Sequence, residues 1–280
     1  MIHSAASATR DSYFGERSMI RRVMGERAVA FSGARSLLMQ AAHPLAVAGL
    51  LAHTDSLEAP YERLARTAKV LDAITFGSRA DADRLTRRVR AMHRRVRGEL
   101  SQTIGVHPAG TPYRADDPEL LMWILYTLVD SASLFYSVYV GRLTRLQRRA
   151  LWEDYKVVGE LFGLAPEQMP DTLEDLRDYG REMLDGERLC VGDWARQRAR
   201  EIVLEPPVPA HLRPVLETVN FVTIALLPDE IRRQYGFSPL VPPLARKALV
   251  RGGAVYVRRG LLPLLPDGVR HVPSARRTAA

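Results

Sequence analysis

A chain of 280 residues, 46% of them hydrophobic, is long enough for one large domain or two small ones and can supply a substantial core, which excludes a disordered or fibrous class. The formal net charge of +8 comes mainly from arginine and attracts nucleic acid or anionic membrane surfaces non-specifically, so no specific nucleic-acid partner is expected. The single cysteine, Cys190, excludes an internal disulfide and points to a reducing, cytoplasmic compartment, while phosphate-cradling and zinc-protease motifs (Walker loop, G-x-G-x-x-G, H-E-x-x-H) are absent.

Met1 to Asp11 is small and polar, without the apolar run of a secretory signal, and residues 1–12 read as a tail. Ser18 to Met24 reads as a short amphipathic helix. From Gly33 a helical pattern runs through Leu37, Leu38 and Ala41 to His43, where Pro44 interrupts it. Proline suits the first turn of a new helix and breaks the interior of an old one, so Pro44 to Ala52 is a second segment and the chain bends at His43. Thr54 to Pro60 reads as a capped turn. The next helix carries Tyr61, Leu64, Ala68 and Leu71 in one apolar row and ends at Gly77. Ser78 caps a basic helix in which Leu85, Val89, Met92, His93, Val96 and Leu100 share helical spacing, with Arg84, Arg87, Arg88, Arg94, Arg95 and Arg97 mostly opposite.

Gln102 to Pro118, rich in Gly, Pro and Thr, is the kind of long loop that covers a site, and its His107 is expected to be solvated. Leu120 to Val140 approaches the length of a membrane span, but Asp130, Ser131, Ser133 and Ser137 interrupt it, so a buried central helix is expected. Leu143 to Phe162 follows with a T-x-x-Q entry at Thr144, and Gly163 ends it. Thr172 caps a helix through Met183; Trp194 to Val203 and Val215 to Leu227 are two more, separated by Pro206, Pro207 and Pro209. Leu244 to Leu265 alternates apolar runs with Arg246, Lys247, Arg251, Arg258 and Arg259, a pattern for a peripheral helix packed on the core or lying on a membrane surface. With no repeat and no strand signal, the fold class is all-α: a single domain over 13–266 of about ten to twelve helices, followed by a basic tail, 267–280.

Arg63 and Thr67 lie one helical turn apart, and with an inward His93 on the next helix they could form two sides of a cofactor pocket. The same residues also fit a core histidine bonded to a carbonyl, an arginine ion-paired with Glu58, Glu62 or Asp72, and a hydroxyl bonded to its own helix. His43 and His53, near Asp55 and Glu58, raise a metal reading. Ten helical residues would hold the two histidines roughly 15 Å apart, so helix-end hydrogen bonding is expected instead. Cys190 reads as a small buried thiol.

The succession Q-A-A-H-P-L-A-V-A-G-L-L-A-H-T-D, E-R-L-A-R-T with F-G, V-R-A-M-H-R-R-V-R-G and D-P-E-L-L-M-W-I-L-Y-T-L-V-D-S resembles the oxygenase MpaB family, which includes the latex clearing proteins, the bacterial rubber oxygenases. The resemblance runs from Ala34 to Leu184, with weaker echoes to Tyr235. It implies a globin-like helical core holding non-covalent haem b, in keeping with the absence of C-x-x-C-H. It also implies an oxygenase acting with dioxygen on a hydrophobic, unsaturated, lipid-like substrate, by oxidative cleavage of a carbon–carbon double bond or a related oxygenation. Carried over by residue, His93 matches the ligand to haem iron, and Arg63 and Thr67 match the distal arginine and threonine of R-x-x-K-T. Arg66 stands where the latex clearing proteins have lysine. Leu71, Ile74, Met92, Trp123 and Leu128 are the expected apolar walls. One departure stands out: family members often carry W-V-H-A-T-L where this chain has Trp123 to Leu128, so Leu125 replaces a histidine. That keeps open a haem- or small-ligand-binding helical protein without oxygenase activity.

Overall fold

Local signals set most of the helix ends in a computed structural model of the chain, which describes residues 11–52, 60–205, 209–237 and 243–277. The N-terminal helices are α1 (Met19–Met24), α2 (Arg27–Ala30), α3 (Ser32–Gln40) and α4 (Pro44–Ala52). Pro44 opens α4 one residue after the bend at His43, as its fixed φ favours. The expected turn over Thr54 to Pro60 lies largely outside the described residues. Next come α5 (Pro60–Phe76) and α6 (Arg79–His93), joined by Gly77 and Ser78. Gly77 ends α5 with its N–H on the Ala73 carbonyl at 2.9 Å, and a Cβ there would come within 2.6 Å of that oxygen. The Ser78 hydroxyl accepts the Asp81 N–H at 3.2 Å and caps α6.

After His93 the structure departs from the helical spacing read in the sequence. The α6 helix stops at His93, and Arg97–Glu99 forms strand β1, paired antiparallel with β2 (Pro112–Arg114) in the register Gly98 opposite Tyr113. Tyr113 is buried, and its ring leaves no room for a Cβ at Gly98, which would lie 2.5 Å from the phenol oxygen. Burying that ring favours a hairpin over another helical turn. Val96 and Leu100 are therefore off the His93 helix, and the otherwise helical fold contains this one two-stranded sheet among the described residues. His107, expected in solvent, is half-buried in a turn where it pairs with Ile104, and its Nε2 lies 3.0 Å from the Arg188 carbonyl.

The most apolar stretch becomes α7 (Pro118–Phe135), continued by a π-helical turn over Tyr136–Val140. Asp117 caps it, accepting the Glu119 N–H at 2.8 Å. The span Pro118–Val140 is long and apolar enough to cross a membrane by length and composition, yet 61% of its apolar window is buried inside the protein, as for a core helix. The remaining helices are α8 (Arg145–Phe162), α9 (Leu173–Asp185), α10 (Asp193–Leu204), α11 (Arg213–Leu226), α12 (Asp229–Gln234), α13 (Pro243–Tyr256), α14 (Asp267–Arg270) and α15 (Pro273–Arg277). Thr144 with Gln147, and Thr172 with Asp175, form capping boxes at α8 and α9, and Gly163 closes α8 at φ +108°, a conformation glycine adopts without strain. The basic C-terminal segment is pinned to the start of the chain over 267–277: the Arg270 guanidinium bonds the buried Glu26 carboxylate at 2.7 Å, and the Val272 N–H donates to the Gly25 carbonyl at 2.9 Å.

α3 packs along α7 through a polar seam in an otherwise apolar core. Arg35 is 4% exposed. Its guanidinium reaches Asp130 at 2.8 Å, Ser131 at 2.7 Å and the Leu226 carbonyl at 2.8 Å. One turn on, Ser36 and Gln40 meet Thr127 at 2.9 and 3.0 Å, and the indole of Trp123 donates to the Met39 carbonyl at 3.2 Å. Removing a buried cation strands its partners, so Arg35→Met is expected to lower stability on the order of 3 kcal/mol in urea denaturation. Arg145→Met, which breaks an exposed pair with Glu174, should cost under about 1 kcal/mol in the same assay.

Candidate functional site

The residues picked out from the sequence lie on the α5–α6 hairpin. Val70 and Ile74 bury one face of α5, and Ala82 and Thr86 the facing side of α6, so the two helices pack against each other on either side of the Gly77 turn. Arg63 lies 14 residues before Gly77 and His93 lies 15 after Ser78. At 1.5 Å of rise per residue both are about 20 Å from the turn, level with each other at the open end of the hairpin. Thr67 and Arg66 are about one turn further in. The side chain of Arg63 lies outside the described ones.

His93 is the last residue of α6 and half-buried, with its Nδ1 shielded from solvent. Arg66 and Thr67 are exposed, as are all five residues from Ala65 to Lys69. Five exceeds the 3.6 residues of a turn, so this stretch of α5 is exposed all round its circumference. The donor set there is an imidazole, guanidinium groups and a hydroxyl, while no cluster of three or more His, Cys, Asp or Glu suited to a metal ion occurs among the described residues. Such a set fits haem, whose iron asks the protein for as little as one axial nitrogen and whose propionates suit arginines.

The expected walls divide. Ile74 is 1% exposed but stands three residues before Gly77, about 16 Å along α5 from Arg63, and Trp123 is fully buried against α3, so both belong to the core. Met92 is 49% exposed at the end of α6. Leu125 is buried and turned toward α8: a Cβ added at Gly159 would come within 2.9 Å of it, with Met169 and Leu164 close by.

His43 gains a partner the sequence did not indicate. It is 5% exposed at the α3–α4 bend, with its ring centroid 5.6 Å from that of His107, and its Nδ1 has no hydrogen-bond partner among the described residues. Burial, with the charges of His107 and Arg188 adding to it, pushes its imidazole down to about 4, so it is neutral at pH 7. His53 lies outside the described residues. The 63 residues between His43 and His107 carry no periodic signal that could have joined them.

A sequence model of the family described as the catalytic domain of ER-bound oxygenase mpaB/B' and rubber oxygenase matches residues 21–259. No curated protein and no solved structure matches the chain.

The buried His43 makes stability depend on pH. Between its ordinary 6.5 and about 4, the unfolded chain binds a proton that the folded chain refuses, so stability falls as pH falls through that window and levels off below it. At about 1.4 kcal/mol per pH unit the loss by pH 4.5 is about 2 to 3 kcal/mol. Urea midpoints at pH 7 and 4.5 should show it, and His43→Leu should remove most of the difference.

Proposed function

Because the chain belongs to the family of ER-bound oxygenase mpaB/B' and rubber oxygenase catalytic domains, we propose that it is a haem b-dependent oxygenase acting with dioxygen on a hydrophobic, unsaturated substrate. The observation that carries the reading is the level placement of Arg63 and His93 at the open end of one helical hairpin, beside a solvent-exposed turn of α5 over 65–69. When bound, haem supplies the iron that activates dioxygen for oxidative cleavage of a carbon–carbon double bond or a related oxygenation.

The protein's own contribution is positional. His93 would hold the iron through a ring nitrogen, and the end of α6 fixes where that ring stands. Arg63 would present a permanent positive charge at the reacting face, where negative charge develops, and Thr67, four residues on, a hydroxyl to orient that guanidinium or to donate a proton. Arg66, a fixed cation in place of the lysine expected from the resemblance, would serve a propionate. Leu71, one turn from Thr67, would help keep water from the substrate.

Peripheral membrane contact is supported by the C-terminal segment. There Leu249, Val255, Tyr256 and Leu264 are 55%, 50%, 69% and 80% exposed among the exposed Arg251 and Arg259. Apolar side chains interleaved with cations suit an anionic interface, which would bring the enzyme to a lipid-like substrate.

Protein expressed with ample haem should show a Soret band at about one haem per chain, and His93→Ala should lose most of it. A colourless protein that haemin cannot reconstitute would sink the proposal. Arg63→Ala should keep the Soret band yet slow dioxygen-dependent turnover of an alkene by about tenfold to a thousandfold. In co-sedimentation, vesicles containing anionic lipid should capture the protein and Tyr256→Ser/Leu264→Ser should weaken capture; equal recovery with and without vesicles would remove the membrane contact.

A further inference from the structure

Beside α4, where it meets the hairpin that follows His93, lies a half-open chamber of about 310 Å³, at the lower end of the size range of small-molecule sites. It is walled by Val47 and Ala48 of α4, Leu100, Ile104 and Tyr113 of the hairpin region, and Trp194 at the start of α10. Two close approaches shape it. Gly105, at φ +57°, brings the Ile104 turn so near Cys190 that a Cβ would lie 2.7 Å from the cysteine Cβ, and a Cβ at Gly192 would touch Ile104 at 3.4 Å. The Cys190 N–H is anchored on the Ala42 carbonyl at 2.8 Å, leaving its half-buried thiol among the lining groups.

The charges around this chamber are one-sided. Among the described residues no lysine, arginine or histidine lines it; the ionised groups are Glu99 and Asp193, both exposed, and Asp193 is already engaged by Arg196 at 2.6 Å. A carboxylate ligand would find no cation inside and a carboxylate at the mouth, and a buried unpaired charge is strongly disfavoured. Ala48 adjoins Gly49, which packs on Tyr113 and on Val96, three residues after His93. The chamber is thus one side-chain layer from the segment leaving the proposed haem ligand.

We propose that this chamber binds an uncharged, apolar molecule, a hydrocarbon or its alcohol and not a fatty acid anion, and that it holds the substrate of the oxygenase reaction. Identifying the ligand as substrate rests on the function proposed above; binding to the chamber does not.

Cys190 is the only cysteine in the chain, so maleimide labelling of the full-length protein reports on the chamber with or without haem. With 1-decanol at ten times its dissociation constant, mass action leaves about one chamber in ten open and labelling should slow about tenfold. Decanoate should need several-fold more ligand for the same protection at low salt, with the gap narrowing as salt screens Glu99. Ala48→Trp, which fills the chamber, should abolish protection by 1-decanol while leaving the circular-dichroism melt and any Soret band intact. If the thiol labels too slowly to follow, Trp194 emission in the same titration decides, because Trp123 and Trp152 are fully buried elsewhere. Absence of any response to 1-decanol, or an undiminished response in Ala48→Trp, overturns the site. Equal protection by decanoate, or tighter binding of decylamine than of the alcohol, overturns the ligand class. Protection without haem binding would leave the chamber standing and remove the oxygenase reading; a Soret band without protection would do the reverse.

Discussion

The buried guanidinium of Arg35 is the constraint on which the rest of the fold depends. α7 is apolar around much of its circumference, and an apolar surface packs nearly as well one turn out of register. The polar groups at Trp123, Thr127, Asp130 and Ser131 recur every three to four residues and meet polar partners on α3 at one alignment only. Arg35 also reaches the end of α11 through the Leu226 carbonyl, so one side chain ties three helices. With α3 fixed, Pro44 fixes where α4 departs. α4 receives Tyr113 of the hairpin, and the hairpin begins four residues after His93. The position of the candidate haem ligand thus traces back to an ion pair well away from it in the sequence.

Much of this fold was legible wherever the signal was local. Pro44, Gly77, Ser78, Thr144 and Gly163 each act through their own φ, hydroxyl or lack of a Cβ, and each marks the boundary expected of it. The β-hairpin was not legible. Val96 and Leu100 continue the spacing of the preceding helix, and what ends that helix is Tyr113, burying its ring under Gly98 from 15 residues away. Arg35–Asp130 and His43–His107 stayed hidden for the same reason, since a contact between distant positions leaves no period.

The candidate site was legible in order more than in mechanism. Family-like motifs marked Arg63, Arg66, Thr67 and His93, and the helical register of two hairpin arms sets the first and last level with each other. Leu125 could be read only as a departure. In the structure it is part of the contact between α7 and α8, where Gly159 leaves it space, so the apolar residue is accounted for by packing. The chamber beside α4 escaped sequence reading altogether, because its walls come from three separate parts of the chain.

The bond between Glu26 and Arg270 spans 244 positions and sets a timetable for synthesis. The chain leaves the ribosome N-terminus first, at about 5–20 residues per second, so the Glu26 carboxylate waits tens of seconds for its cation. Until then it stays hydrated, and the α1–α2 corner cannot take its final place against the body of the protein. Nascent α3 and α7 can pair meanwhile, with the corner left ajar. Emergence of Arg270, and not of the helices before it, is therefore the event that seals the molecule.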